Sequence, residues 1–301
     1  MLCWMASLGE ERKVMGSEKD VTDYYEQYWP KFVKCLKADE TLGIHLGYYE
    51  KGVKTYEEAV LNMNNFVGRL LNLKDNKPMD ILDAGCGVGG TSLYLAKKYP
   101  NIRFTGITIT PGEVELAKKF AKERNIDNVK FMLGSYANIE FPDNYFDGVF
   151  ALESISYTQN KKDILHEMCR VLKPGGRLVV VDGFCTDVSL NFLIQKIYDS
   201  WRKVRGNLYP INLNLFRSYL EIVGFKEITI MNLAKNIRHT MIRAFIIGIP
   251  FFCSSMFKRM IKRENYEPTE DVDYFFGVSI LTCFLGLGKI IGYNAITSVK
   301  K

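Results

Sequence analysis

The sequence predicts an α/β protein built on a parallel sheet with helices on both faces. Three observations carry that reading. From Met79 onward, strand-like and helix-like segments alternate. The strand-like runs are apolar and rich in β-formers, as strands covered on both sides are. A glycine-rich turn, "GCGVGG" from Gly85 to Gly90, joins the first strand to a helical pattern.

In chain order, "MDILDA" (Met79 to Ala84) reads as the first strand, with a helix over Thr91 to Lys98. "RFTGITI" is the second strand, followed by a helix from Pro111 to Glu123; "VKFML" and "FDGVFAL" are the third and fourth. Ile164, Leu165, Met168, Val171 and Leu172 recur at helical spacing and predict a helix over Lys161 to Leu172. Lys173-Pro174-Gly175-Gly176 ends it and turns into "GRLVVVDG". Past Gly183 the alternation breaks, and "FKEITIM" and "IGYNAITSVK" read as the last two strands, separated by a long apolar insertion. The first 70 or so residues read as helices bearing aromatic-rich "DYYEQYW" and "GIHLGYYEKG". The expected organisation is a lid over 1–70, a ligand-binding core over 71–185, and a C-terminal part over 186–301 with a substrate cap and the last two strands.

Composition limits the partners. At 301 residues and 47% apolar content the chain can bury a core for one globular unit with additions. A balance of 40 Lys+Arg against 34 Asp+Glu is too diffuse to indicate nucleic acid. Seven widely spaced cysteines without a C-x-x-C pair argue against zinc or a redox dithiol, so no metal is expected and a reducing compartment fits. Glu10, Glu11, Arg12 and Lys13 interrupt the start where a secretory signal needs apolar residues, which points to the cytoplasm. Asp20 stands where a myristoylation signal beginning at Met15 needs Ser or Thr.

The glycine turn lets a ligand approach the backbone and presents free N–H groups at the helix start. Gly85, Gly87 and Gly90 satisfy G-x-G-x-x-G, so a dinucleotide competes with other nucleoside ligands. Asp83 helps to choose, because a pyrophosphate is anionic whereas S-adenosylmethionine carries an ammonium and a sulfonium. Thr108 ends the second strand, where a dinucleotide site expects an acid for the ribose.

Together "LDAGCGVGGTSLYLA", "GITITP", "FPDNYFDGVFALES" and "RVLKPGGRLVVVD" resemble a class I S-adenosylmethionine-dependent methyltransferase, over about residues 20 to 185. The nearest branch is that of sterol, tocopherol and cyclopropane-fatty-acid methyltransferases. The resemblance implies a Rossmann-like seven-stranded sheet with S-adenosylmethionine as cofactor. It implies that Asp83, Gly85, Cys86 and Gly87 cradle the methionine part, and that Thr108 and Glu113 meet the ribose hydroxyls. Glu113 replaces the family's usual Gln; it accepts hydroxyl hydrogen bonds but supplies no amide donor. Ser135 stands where many relatives carry Asp for the adenine, supplemented by Tyr136. Taken singly, Thr108, Glu113 and Ser135 have plainer structural roles; taken in order with Asp83 and the glycines, they read as cofactor contacts. Cys86 reads as small filler.

Methyl transfer from a sulfonium is a direct displacement, so the protein must align the reactants and exclude water. Aromatic faces favour the sulfonium. Tyr25, in a "YD"-like element, is expected to reach the cofactor, as the resemblance implies. The competing reading is an amphipathic helix packing its aromatics on the sheet, which is favoured for Tyr28 and Trp29, with Tyr24 available to the site. His45, in "GIHLGYY", matches a segment near the methyl group in the family, and a structural role competes equally. Glu153 and Tyr157, in "ALESISYTQN", fall on the loop at the carboxyl edge of the sheet, where Glu153 is the candidate general base. Capping a loop or pairing with Lys161 is its competing role. Tyr157 replaces a frequent His. His166 reads as a surface residue.

Ala244 to Phe257 and Tyr274 to Gly288 are uncharged stretches of 14 and 15 residues, shorter than the roughly 20 needed to cross a bilayer. They read as a buried cap or an interfacial helix. Lys258, Arg259, Lys262 and Arg263 suit peripheral membrane contact through 244–263, or equally a solvated basic face. With the branch resemblance, the apolar cap points to a sterol, isoprenoid, quinone, tocopherol-like or fatty acyl acceptor. Two alternatives stay open: a small-amine N-methyltransferase with Glu153 in an aromatic cage, and a non-catalytic lipid- or partner-binding protein on the same fold. Oligomeric state is not legible.

Overall fold

Alternation of strand and helix resolves into one seven-stranded sheet in the computed structural model, which describes residues 33, 38–187, 192, 195, 198–199, 201–202, 208–262 and 290–301. Tyr24, Tyr25, Tyr28 and Trp29, and the stretch Tyr274 to Gly288, lie outside the described residues. The elements are α1 (Ala38–Thr41), α2 (Tyr56–Leu70), β1 (Met79–Ala84), α3 (Gly90–Lys98), β2 (Ile102–Thr108), α4 (Pro111–Glu123), β3 (Val129–Leu133) and β4 (Phe146–Leu152). There follow α5 (Lys161–Val171), β5 (Leu172–Cys185), α6 (Leu213–Val223), β6 (Phe225–Asn232), α7 (Ala234–Lys262) and β7 (Ile291–Lys300).

Strand order is β3-β2-β1-β4-β5-β7-β6. The expectation of a parallel sheet holds for β1 to β6, but β7 is antiparallel to both β5 and β6. Residue alternation fixes which face a side chain meets and carries no strand direction. After β6 the chain enters α7 rather than another crossover, and β7 fills the slot between β5 and β6 from the opposite end. Lys173 to Gly176 are also not a turn before a strand: β5 begins at Leu172, and these residues bulge out of its register with β4.

Each central strand serves two cores. Ile81, Phe150, Val179 and Val181 pack with Met63, Phe66, Leu93, Leu95 and Ala117 from α2, α3 and α4. Leu82, Val149, Ala151 and Val180 face the other way, against Ile164, Leu165 and Met168 of α5 and Phe216 and Leu220 of α6. Full burial of one such side chain contributes roughly 1.5–3 kcal/mol, which is why helices cover both faces, as expected.

Local chemistry sets the ends of the elements. Thr55 and Glu58 form a reciprocal capping box at α2. Asn212 caps α6 by accepting from the Asn214 and Leu215 amides at 2.9 and 3.2 Å, and Gly224 closes it at φ 116°. The apolar stretch Ala244 to Phe257 is not a separate short segment. It lies inside the continuous 29-residue α7, of which Ala234–Lys258 is long and apolar enough to cross a membrane by length and composition.

Candidate active site

At the carboxyl ends of β1, β2, β4 and β5 the sheet opens into a cavity of about 490 Å³, within the range of small-molecule sites. Asp83, Gly85, Cys86, Gly87, Thr108, Glu113, Tyr136, Glu153, Tyr157 and His45, all singled out from the sequence, line it together. Ser135 is not among the lining residues. Its hydroxyl accepts from the Ala137 amide at 3.3 Å, shaping its own turn. Tyr25 lies outside the described residues.

The glycine turn is built by close approach. Gly85 has φ 90°, and a Cβ there would meet Ser154 Cβ at 2.4 Å; a Cβ on Gly90 would meet the Leu42 carbonyl oxygen at 2.2 Å. Neither position admits a side chain. Gly87, at φ 53°, is different: among the described residues the only atom near its notional Cβ is Glu113 Oε1 at 3.7 Å, and Gly87 itself lines the cavity. The expected free amides are partly taken. Gly85 and Cys86 both donate to the Ile107 carbonyl, at 3.0 and 2.9 Å, tying the turn to the end of β2.

Asp83 is 2% exposed and accepts from the Ser92 hydroxyl at 2.7 Å. Burial raises its pKa to about 7, against that hydrogen bond. A carboxylate so desolvated gains from a cationic ligand and is penalised further by an anion. Thr108 donates to Glu113 Oε2 at 2.7 Å, and both are buried. The pair presents carboxylate oxygen toward the glycine turn, where a diol would find acceptors. The residues present therefore fit a cationic nucleoside such as S-adenosylmethionine better than a pyrophosphate. Burial pushes the Cys86 thiol well above its ordinary pKa, consistent with small filler rather than a nucleophile.

Beyond β4, Glu153 adopts φ 50° and turns its carboxylate to a junction of three segments. Its Oε1 accepts from the Leu46 amide at 2.8 Å and from the Tyr293 hydroxyl at 2.6 Å. Tyr293 is buried, and burial together with the Glu153 charge raises its pKa well above the usual phenol value, so it remains the donor. Lys161, the competing partner, directs its ammonium to the Thr158 carbonyl. Ser154 ties this loop to the glycine turn: its hydroxyl donates to the Ala84 carbonyl at 2.6 Å, and its own carbonyl accepts from Tyr136 at 2.9 Å. His45 is buried, its Nδ1 lies 3.3 Å from the Leu46 carbonyl oxygen, and burial lowers its pKa to about 4. It is therefore neutral at ordinary pH. His166 is exposed, as expected.

Several lining residues were not singled out in the sequence. Tyr293 comes from β7; Asp182, at the end of β5, accepts from the Ser156 hydroxyl at 2.7 Å and from its amide at 3.1 Å. Trp201, Leu208, Ile237, Met241 and Ile242 give the cavity an apolar wall. Among the described lining residues Arg238 is the single Lys or Arg, against four carboxylates, those of Asp83, Glu113, Glu153 and Asp182.

A family model described as "Methyltransferase domain" matches residues 75–243. Norajmaline N-methyltransferase from Rauvolfia serpentina is 34% identical over 173 residues, covering 54% of this chain and 58% of the relative. Sterol 24-C-methyltransferase ERG6A from Gibberella zeae is 31% identical over 167 residues, covering 55% and 40%. The chain thus spans about half the length of these relatives. Among solved structures, the cyclopropane synthase MmaA2 from Mycobacterium tuberculosis superposes with a TM-score of 0.76 at 16% identity, covering 96% of this chain and 100% of that one, a likeness of fold.

Proposed function

Because the chain belongs to the methyltransferase-domain family, whose methyl donor is S-adenosylmethionine, we propose that it transfers a methyl group to an apolar acceptor held beside Glu153. One observation carries this reading. The cavity with the glycine turn and its buried acid continues into the wall of Trp201, Leu208, Ile237, Met241 and Ile242, a surface that desolvates an aliphatic or polycyclic body.

The donor supplies an electrophilic methyl on a sulfonium. Asp83 holds negative charge for a cationic ligand, and Gly87 leaves room for it. Glu113 offers carboxylate oxygen to hydroxyls. The segment from Leu42 to Leu46 and the first turns of α7 wall the cavity and exclude water. Glu153, fixed by Leu46 and Tyr293, takes the proton that the acceptor releases.

An amine acceptor is the second reading, favoured by the excess of carboxylates over cations among the described residues of the cavity and by the N-methyltransferase among the relatives. The test is incubation with methyl-labelled S-adenosylmethionine and separated sterol, quinone, fatty acyl and amine pools. Label in an apolar neutral pool supports the first reading, and label only in amines replaces it. Absence of heat on titrating S-adenosylmethionine would leave a non-catalytic binding protein.

A further inference from the structure

Outside the cavity, α7 carries a surface that the fold does not use. Its first turns belong to the domain: Asn236 donates to the Tyr49 carbonyl at 2.8 Å, the Tyr49 amide donates to the Asn236 carbonyl at 2.9 Å, and the Gly47 amide donates to the Thr240 hydroxyl at 3.2 Å. Beyond Ala244 the usual order of polarity inverts. Ile246, Ile249, Met256, Phe257, Met260 and Ile261 are all exposed, with Phe257, Met260 and Ile261 at 64, 71 and 67%. Among the described residues of this half, those buried are Gly248 and Ser255. At 3.6 residues per turn the exposed six fall within an arc of about 140°, so they form one stripe rather than scattered apolar surface.

We propose that this stripe docks on an anionic lipid bilayer. Charge favours that occupant: α7 contains no Asp or Glu in 29 residues but six Lys or Arg. Three of these, Lys258, Arg259 and Lys262, fall in its last turns, and Arg263 follows in the sequence. Apolar side chains at a membrane interface with basic residues beside them bind anionic headgroups. A second copy of the chain fits less well. A two-fold interface through this stripe would set one acid-free, basic helix against another. Although α7 satisfies the length for a span, it does not cross. Its first turns are fastened into the fold, and the uncharged part, 14 residues, measures about 21 Å against a hydrocarbon core of about 30 Å.

The placement bears on the site. Ile237, Met241 and Ile242 of the same helix line the cavity, so on the reading of an apolar acceptor the helix leads from the bilayer to the reaction. The docking itself does not depend on that reading.

The test is co-sedimentation of the full chain with phosphatidylcholine vesicles, with and without phosphatidylserine, in the absence of acceptor and methyl donor. Expected are partition onto the anionic vesicles, weakening with salt, and a loss of roughly ten-fold or more in the Phe257→Glu/Ile261→Glu variant. Titration of S-adenosylmethionine and thermal melting report whether that variant remains folded. Equal partition of wild type and folded variant would overturn the proposal. So would absence of binding to the anionic vesicles; a dimer in solution that the substitutions dissolve would then assign the stripe to a second copy of the chain. If the variant does not fold, the single change Met260→Glu is read the same way.

Discussion

Tyr293, on the reversed strand β7, donates its hydroxyl to Glu153 Oε1 at 2.6 Å across 140 positions of sequence. The Leu46 amide reaches the same oxygen at 2.8 Å. Three chain segments therefore converge on one carboxylate, which lines the cavity. A base that must meet an acceptor proton benefits from such fixation.

Tyr293→Phe removes one donor and keeps the ring. Hydrogen bonds to charged groups contribute about 1.5–3 kcal/mol, so turnover falls roughly ten- to hundred-fold while the heat of S-adenosylmethionine binding is unchanged. Glu153→Gln lowers turnover further. The decisive measurement is the double variant: if Tyr293 acts through Glu153, adding Tyr293→Phe to Glu153→Gln has little further effect. Additive losses would show that Tyr293 acts elsewhere.

Asp83 makes cofactor binding depend on pH. Its buried carboxyl, with a pKa raised to about 7, is substantially protonated in the ligand-free protein at neutral pH. A cationic ligand favours the ionised form, so binding is coupled to proton release below about pH 7. Affinity for S-adenosylmethionine falls as pH drops from 7 toward 5, by at most about ten-fold per unit. Calorimetric titration in buffers of different ionisation enthalpy reads the released proton. Asp83→Asn weakens binding and removes this proton release; a variant that still released the proton would reassign it.

How much of this was legible in the sequence follows the range of the interactions. β1 to β5, the glycine turn and its acid are set by neighbouring residues, and the pattern reveals them. Thr108 and Glu113 lie five positions apart, and their pairing through a hydroxyl and a carboxylate is local too. Tyr293 was hidden because nothing in "IGYNAITSVK" tells which strand it joins or which end of the sheet it reaches. Gly85 and Cys86 read as part of a cradle for the ligand, and the sequence does not show that the Ile107 carbonyl takes both of their amides. Hydropathy marked Ala244 to Phe257 as apolar but could not say whether that surface is buried; in much of α7 it faces outward.

His45 and Asp83 predict opposite slopes of stability with pH. His45 has its pKa depressed by burial from 6.5 to about 4, so its contribution is present above pH 6.5 and is lost as pH falls through 4. Asp83 has its pKa raised from 3.8 to about 7, so its contribution is present below 3.8 and is lost as pH rises through 7. Between about pH 4 and 6.5 the two offset each other. Relative to wild type, His45→Gln melts progressively higher as pH falls through that window. Asp83→Asn instead gains as pH rises. Each difference reaches on the order of 3 kcal/mol at the far end of its window. Parallel melting profiles for wild type and both variants would contradict the dominance of burial over hydrogen bonding at these two groups.

Gly90 and Gly87 separate folding from binding within one turn. A Cβ at Gly90 would lie 2.2 Å from the Leu42 carbonyl oxygen, a backbone atom that moves only with its loop. Gly90→Ala is therefore expected to lower stability by about 1–3 kcal/mol, measured by denaturant unfolding, with loosening of the segment that leads to His45. At Gly87 the notional Cβ points into open cavity with Glu113 Oε1 at 3.7 Å. A left-handed conformation costs an L-residue about 1–2 kcal/mol, so Gly87→Val folds with modest loss, but its side chain occupies space reserved for the ligand and titration with S-adenosylmethionine gives no heat. The contrast carries the argument: a Gly87→Val protein that binds normally would mean that the ligand does not lie over the turn, whatever Gly90→Ala does to stability.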